Sequence, residues 1–129
     1  MIKSHLQPIL EAKGIQICRE IVAANGSLDF LCTYTSNGNL FKVGIELKKA
    51  HHKDLLSGLT QQLPQYLMDE GTKHGIFLVL WFKNDNFRLP VKYDSISALI
   101  KDLESNVPNK YQFTIMAIDC TKQSSPSKM

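Results

Sequence analysis

The chain has 129 residues, of which 43% are hydrophobic and 21% are charged, and its formal net charge is +3. This length and composition are typical of one globular domain with its own core, and they exclude a largely disordered chain. No apolar stretch approaches the roughly 20 residues of a membrane-spanning helix. The mildly basic charge permits a polyanionic partner but does not require one.

The three cysteines, Cys18, Cys32 and Cys120, are odd in number, widely spaced and set in apolar runs. This pattern indicates neither a zinc site nor a disulfide framework, and it favours a reducing compartment. The N-terminus also lacks the hydrophobic region of a signal peptide. We therefore expect a cytoplasmic protein with no membrane association.

The first predicted elements are a short helix in the segment from Leu6 to Lys13, which begins near Pro8 and ends at Gly14, and a strand from Ile15 to Val22. A hairpin follows, because Asn37-Gly38 suits a two-residue turn in which both positions need a positive φ. This turn fixes the pairing of the two strands, and it sets Asp29 directly opposite Glu46. The register depends on the turn assignment alone.

The strands of the hairpin alternate between two different faces. One face is uncharged and predicted to face the core, and it carries Leu28, Phe30, Cys32, Tyr34, Phe41, Val43, Ile45 and Leu47. The other face carries Asp29, Glu46 and Lys48. Cβ atoms of opposed strand residues lie about 4.5–5.5 Å apart, so the two carboxylates repel each other unless a cation lies between them. A divalent metal ion would remove this repulsion.

The second half of the chain alternates between helical and strand patterns. Asp54 to Glu70 has a helical apolar stripe of leucines 56, 59, 63 and 67, and Gly71 ends it. Gly75 to Phe82 is a continuous apolar run typical of a buried central strand. A helix around Ser95 to Glu104 and a strand from Tyr111 to Ile118 complete the predicted elements.

The order of these elements predicts an α/β fold, with a mixed central sheet flanked by helices. We expect a single domain over residues 1–120 and a disordered tail over residues 121–129. The aromatic residues Phe77, Trp81 and Phe82 are expected in the core rather than as platforms for base stacking.

Asp29 and the sequence Glu46-Leu47-Lys48 resemble the motif of the PD-(D/E)XK nuclease superfamily. The core of that superfamily is a restriction-endonuclease-like αβββαβ unit, which carries an aspartate and then Glu-x-Lys on its second and third strands. The resemblance implies a Mg²⁺-dependent nuclease, with Mn²⁺ as a substitute ion. Asp29, Glu46 and the Leu47 carbonyl would bind the metal, and Lys48 would be the catalytic lysine.

A second motif extends the resemblance to the RecB-like branch of the superfamily. Gln62 and Tyr66 lie four residues apart on the predicted helix, similar to the Gln-x-x-x-Tyr signature of that branch. The resemblance gives them a supporting role beside the catalytic residues. It gives Glu20, on the first strand, the role of an additional acid, although a surface ion pair with Arg19 explains Glu20 equally well. Pro64 departs from the signature, since it removes a backbone donor.

The residues directly after the motif allow two interpretations. Lys49, His51, His52 and Lys53 could contact phosphates on either side of the cleaved bond, or they could form a solvated loop. Adjacent histidines usually diverge, which argues against His51 and His52 as a pair of metal ligands.

The resemblance implies cleavage of nucleic acid, with DNA favoured over RNA, and it allows a homodimer, a larger chain or a partner that supplies specificity. An RNA-cleaving toxin and a structure-specific resolvase also occur on this scaffold. The alternative is a non-catalytic module that binds nucleic acid or protein on the same fold, since a fold does not fix a function. In that case Asp29, Glu46 and Lys48 would form an ion-pair ladder on a solvated sheet face, neutralised by Lys48 and Lys42.

Overall fold

The computed structural model describes residues 15–18, 21–23, 26–28 and 30–121, and the side chains of residues 30–121. The strands are β1 (Ile15–Cys18), β2 (Ile21–Ala23), β3 (Gly26–Leu28), β4 (Phe30–Ser36), β5 (Asn39–Lys49), β6 (His74–Trp81) and β7 (Gln112–Asp119). The helices are α1 (Leu55–Ser57), α2 (Leu63–Glu70) and α3 (Ile96–Glu104), with a π-helical turn over Gly58–Gln62 between α1 and α2. No helix among these residues has the length and apolar character needed to cross a membrane.

Five strands form a mixed sheet in the order β1-β4-β5-β6-β7. The pairs β1–β4 and β4–β5 are antiparallel, whereas β5–β6 and β6–β7 are parallel. Strands β2 and β3 form a separate two-stranded sheet. The predicted α/β class with a mixed sheet is therefore confirmed. The helix predicted from Leu6 to Lys13 and the tail over residues 122–129 lie outside the described residues.

The hairpin has the register that its turn predicts. Asn37 and Gly38 have φ values of 53° and 80°, as a two-residue turn of this kind requires. The pairing runs from Ser36 opposite Asn39 to Phe30 opposite Ile45.

At its open end, the hairpin differs from the prediction. Leu28 pairs with Ile21 in the two-stranded sheet, not with β5. The strand expected from Ile15 to Val22 is accordingly divided into β1 and β2. The alternation of side chains predicted one long strand, because this pattern does not show where a strand changes its pairing partner.

The assignment of the core to the uncharged face of the hairpin is confirmed only in part, because Cys32 on that face is buried but its neighbours are half-buried or exposed. The helices cover the face that carries Glu46 and Lys48, and Leu31 on this face belongs to the hydrophobic core. On the opposite face, Tyr34 and Phe41 are 40% and 47% exposed. The physical reason is that alternation separates two faces but does not tell which of them the helices cover.

The helical segment 55–70, which comprises α1, the π turn and α2, packs on the sheet through leucines four residues apart. Leu55, Leu59, Leu63 and Leu67 are buried, whereas Leu56, which was predicted in the stripe, is 43% exposed. On an α-helix, every fourth side chain is rotated slightly around the helix axis. The π turn has more residues per turn than an α turn, and it therefore keeps these leucines on the face that meets the sheet. Gly71 ends the segment in a left-handed conformation, with φ 72°.

The core lies between β6 and the helices. Phe77 and Val79 of β6 are fully buried, together with Leu99 and Leu103 of α3. Trp81 is also buried, as predicted, whereas Phe82 is only half-buried. Ser95 caps α3 by accepting a hydrogen bond from the amide of Ala98 at 3.1 Å.

The segment 82–95, here called the rim loop, connects β6 to α3. The Lys83 ammonium donates to the carbonyls of Pro90 at 2.9 Å and Tyr93 at 2.7 Å. The Tyr93 hydroxyl donates to Asp102 Oδ2 on α3 at 2.6 Å, and Lys92 Nζ lies 3.5 Å from the same oxygen. The contacts of Lys83 lie within the rim loop, whereas the contacts with Asp102 link the C-terminal part of the loop to α3.

The Tyr93–Asp102 contact predicts a pH-dependent stability. The hydrogen bond from Tyr93 lowers the pKa of Asp102 below its ordinary 3.8, with Lys92 adding to the effect against some desolvation. Because the folded state then holds its proton less tightly, this contribution is complete above about pH 5 and is lost as the pH falls through the lowered pKa. Tyr93→Phe is therefore expected to lower the thermal midpoint at pH 7, with a smaller difference at pH 3.

A matched control is Tyr111→Phe. The Tyr111 hydroxyl donates to the carbonyl of Pro64 at 3.1 Å, and this acceptor does not titrate. Thermal unfolding followed by circular dichroism should therefore show the same loss at both pH values for Tyr111→Phe. An equally constant loss for Tyr93→Phe would contradict the assignment.

Candidate functional site

Glu46 and Lys48 form a buried ion pair on β5. Among residues 30–121, Glu46 is the one charged residue that is buried, with 4% of its surface exposed. Lys48 Nζ lies 3.6 Å from Glu46 Oε2, and the Lys48 side chain is only 14% exposed. Both side chains lie on the same face, since Glu46 is paired with the core residue Phe77 and Lys48 with Val79. The pair is therefore enclosed between the sheet and its helices.

This burial contradicts a ladder on a solvated sheet face for Glu46 and Lys48. Removing two charges from water costs several kcal/mol per ion, and their attraction repays this cost only in a favourable geometry. The separation of 3.6 Å is longer than a good hydrogen bond. Lys42 does not neutralise Glu46, because it pairs with Glu70 Oε1 at 3.7 Å. A pair of this kind is therefore weak evidence for a stabilising role.

Gly58 allows the helical segment 55–70 to approach Lys48. A Cβ atom at position 58 would lie 2.9 Å from Lys48 Cε and 3.4 Å from the Phe77 ring. The backbone at Gly58 is right-handed helical, so the glycine is needed here for space and not for its conformation. Sequence reasoning missed this role, since no local pattern reveals a contact ten residues away. A lone glycine inside a helical pattern was the one signal present.

The C-terminal end of the helical segment is hydrogen-bonded to β5. Lys42 Nζ donates to the carbonyl of Glu70 at 3.3 Å, and the Thr72 hydroxyl donates to the carbonyl of Lys42 at 2.7 Å. The helical segment is thus hydrogen-bonded to β5 at Lys42 and approaches it closely at Lys48.

Gln62 and Tyr66 both lie in the helical segment above the sheet. Gln62 is the last residue of the π turn and is half-buried, whereas Tyr66 lies in α2 and is 6% exposed. Pro64 is accommodated because it falls in the first turn of α2, where the backbone donor is not needed. Pro64, which departs from the Gln-x-x-x-Tyr signature, therefore lies where the π turn changes to an α-helix. The helix continues to Tyr66.

The remaining predicted acids cannot be placed. Asp29 and Glu20 lie outside the described residues, although Phe30, the neighbour of Asp29, is paired with Ile45, the neighbour of Glu46. Leu47 is half-buried between Glu46 and Lys48 on β5. Over residues 30–121, no group of three or more histidine, cysteine, aspartate or glutamate side chains is arranged to hold a metal ion. The carboxylate of Glu46 is a hard oxygen donor of the type that Mg²⁺ prefers.

The residues that follow the motif have separate surroundings. His52 Nδ1 accepts a hydrogen bond from the Asp54 amide at 2.9 Å and so shapes the turn before α1. His51 packs edge-on against Phe87, with ring centroids 4.9 Å apart. Lys49, at the end of β5, is exposed, and so is Lys53. The two histidines thus serve different local contacts.

The chain belongs to a protein family that is described as a domain of unknown function, DUF8371, whose model matches residues 1–84. The matched region includes the hairpin, the helical segment 55–70 and β6, and therefore all of the candidate site. Comparison with curated proteins and with solved structures gave no significant match.

Proposed function

We propose that the protein is a metal-dependent nuclease that hydrolyses phosphodiester bonds, with DNA as the favoured substrate. The observation that carries this proposal is that Glu46 is buried on the central strand of the sheet in an ion pair with the largely covered Lys48. Burying a carboxylate beside an ammonium costs desolvation free energy. A catalytic role therefore explains the pair better than a contribution to stability does.

The proposed metal ligands are Asp29, Glu46 and the Leu47 carbonyl. The oxygen of the Glu46 carboxylate fits Mg²⁺ or Mn²⁺, which both prefer hard donors. When bound, such an ion supplies a nucleophilic water at neutral pH and neutralises negative charge at phosphorus. Glu20 would add a further carboxylate to this group. The restriction-endonuclease-like core of the PD-(D/E)XK superfamily is the fold that we assign to this arrangement.

Lys48 is the proposed catalytic residue that orients the attacking water. Hydrolysis forms a bond between the water oxygen and phosphorus and breaks the bond from phosphorus to the leaving oxygen. The attacking water gives up a proton to solvent and the leaving oxygen takes up a proton from solvent, while negative charge grows on the phosphoryl oxygens. The Lys48 ammonium can donate to these oxygens and hold the water in place. Glu46 Oε2 lies 3.6 Å from this ammonium and can hold it in position. Gln62 and Tyr66 would support the site from the helix above it.

The proposal predicts that cleavage depends strictly on a divalent metal. Wild-type protein is expected to cut nucleic acid with Mg²⁺ or Mn²⁺ and not with EDTA, because a carboxylate cluster is inert without its ion. Glu46→Gln keeps the shape of the side chain but removes its charge, and we expect it to weaken Mn²⁺ binding about 10- to 100-fold in calorimetry. The substrates to compare are supercoiled plasmid, linear duplex, single-stranded DNA and RNA.

The matched control for Glu46→Gln is Glu70→Gln. Glu70 is also a carboxylate paired with a lysine of β5, at 3.7 Å from Lys42, but it lies at the other end of the helical segment. We expect Glu70→Gln to bind Mn²⁺ like the wild type. Equal Mn²⁺ binding by all three proteins, together with no cleavage of any substrate, would favour the non-catalytic binding module instead.

A further inference from the structure

A cavity of about 410 Å³ lies at the carboxyl ends of the parallel strands. We call it the edge pocket, and its lining residues are Lys49, His51, Phe82, Asn84, Phe87, Cys120 and Thr121. Lys49 ends β5, Phe82 follows β6, and Cys120 follows β7. Ligands of open α/β sheets bind at this edge of the sheet, and the volume falls within the range of ligand sites. The nuclease proposal makes no use of this pocket.

The walls of the edge pocket combine aromatic rings with one positive charge. His51 lies between Phe87, at 4.9 Å between ring centroids, and Phe82, at 6.0 Å. Phe87 is 37% exposed. Lys49 supplies an ammonium, and the lining residues that the structure describes include no aspartate or glutamate. These walls fit a ligand in which a planar aromatic group is attached to an anion. The aromatic group would contact the rings, and the anion would contact the ammonium.

Two features indicate that the edge pocket is preformed. Asn84 Oδ1 accepts hydrogen bonds from the amides of Asn86 and Phe87, both at 2.8 Å, and the Asn84 amide donates to the Phe87 carbonyl at 2.8 Å. This turn holds Phe87 in place, so little order has to be gained on binding. His51 packs edge-on against the same Phe87 ring, with the centroids 4.9 Å apart.

The edge pocket is adjacent to the candidate site along the chain. Lys49 directly follows Lys48, and the Cα atoms of consecutive residues are about 3.8 Å apart. Alternation sends Lys48 to the helix-covered face and Lys49 to the other face. A nucleic-acid strand that crosses the end of β5 would therefore meet both lysines. One phosphate would lie near Lys48, and a neighbouring nucleotide would lie near Lys49.

We infer that the edge pocket binds an unpaired nucleotide of the substrate, with the base stacked on Phe87 and the phosphate near Lys49. This inference rests on the proposed nuclease function and narrows its substrate to strands with unpaired bases. A base inside a duplex already has both faces stacked, whereas an unpaired base can offer one face to an aromatic side chain. Asn84 is a positioning residue, because it acts through Phe87.

The test measures binding in EDTA, so that it depends on neither metal nor cleavage. The probes are a fluorescently labelled single-stranded DNA of about 12 nucleotides and a blunt duplex of the same length, followed by fluorescence anisotropy. Phe87→Ala is expected to weaken binding of the single strand about 5- to 150-fold, the loss that follows from one base–aromatic stack. Phe87→Leu keeps an apolar side chain in the loop, and we expect it to show most of this loss. Duplex binding should remain within twofold of the wild type.

The matched control is Phe41→Ala, since Phe41 is 47% exposed and lies far along β5, near the hairpin turn. It should bind both probes like the wild type. Wild-type affinity of Phe87→Ala and Phe87→Leu for the single strand would overturn the inference, as would an equal loss for the duplex or no binding of the single strand by the wild type.

The inference and the nuclease proposal can fail separately. Metal- and Lys48-dependent cleavage combined with normal binding by Phe87→Ala would leave the nuclease in place and remove the edge pocket from its substrate path. Weakened binding by Phe87→Ala in a protein that cuts no substrate would keep the nucleotide site and reject the nuclease.

Discussion

Lys48→Ala is expected to reduce metal-dependent cleavage about 10²- to 10⁴-fold, the range that a positioned proton-transfer or charge-stabilising group contributes. The loss should appear in kcat more than in KM, because the ammonium acts on the water and on charge that grows during the reaction. Steady-state cleavage of the preferred substrate measures both constants. Cleavage at the wild-type rate would exclude Lys48 from catalysis.

The control for Lys48→Ala comes from the same strand and the same face. Lys42→Ala also removes a β5 ammonium, but Lys42 pairs with Glu70 at the other end of the helical segment. We expect it to retain wild-type cleavage.

Breaking a buried ion pair by removing one partner costs about 3–5 kcal/mol, so the folding of Lys48→Ala has to be measured with its activity. Lys48→Arg keeps a positive charge beside Glu46, but the planar guanidinium group of arginine differs in shape and hydrogen-bond geometry from the compact ammonium. A folded, inactive Lys48→Arg would separate the catalytic role from the structural one.

Gly58→Ala is expected to lower kcat about 10- to 100-fold through the displacement of Lys48. The added Cβ would lie 2.9 Å from Lys48 Cε, which is too close, and a misplacement of about 1 Å can cost this much. The matched control is Thr60→Ala in the same π turn. It loses the hydrogen bond from Thr60 Oγ1 to the Leu56 carbonyl, at 3.0 Å, and leaves the space beside Lys48 unchanged. We expect Thr60→Ala to cut normally.

The effect of Gly58→Ala on stability should depend on the residue at position 48. Alanine is a better helix former than glycine by about 1 kcal/mol, and position 58 has helical angles, so the clash with Lys48 opposes an intrinsic gain. In the Lys48→Ala background the clashing atom is absent, and Gly58→Ala should stabilise the protein. Urea denaturation of the four proteins measures this coupling. Additive free energies of unfolding would show that Gly58 and Lys48 do not constrain each other.

The hairpin register was predictable because it depends on local chemistry. Asn37 and Gly38 are among the few residues that accept positive φ, and a two-residue turn leaves no freedom in the pairing that follows. The ends of α3 and β7 were predictable for a similar reason, since Ser95 is a helix cap and the strand alternates in its burial. Local signals of this type do not need the rest of the fold.

The surroundings of the site were not predictable from the sequence. Whether Glu46 faces solvent or a helix depends on which face of the sheet the helical segment covers, and that choice is made by contacts far apart in the chain. The proximity of Gly58 to Lys48 and the alignment of Phe87 with His51 also arise only after folding. Residue types thus led to the chemistry that we propose for the site, but they could not reveal its burial or its neighbouring pocket.

The position of β5 in the sheet has a consequence for how the protein loses activity. It is the middle strand of five, with β4 on one side and β6 on the other, so the backbone around Glu46 and Lys48 can exchange its amide hydrogens only when much of the sheet opens. We expect the part of the rim loop around Phe87, which is 37% exposed, to open at a lower free energy than the sheet. Inactivation by denaturant should therefore coincide with global unfolding, whereas substrate affinity should weaken at lower concentrations of denaturant.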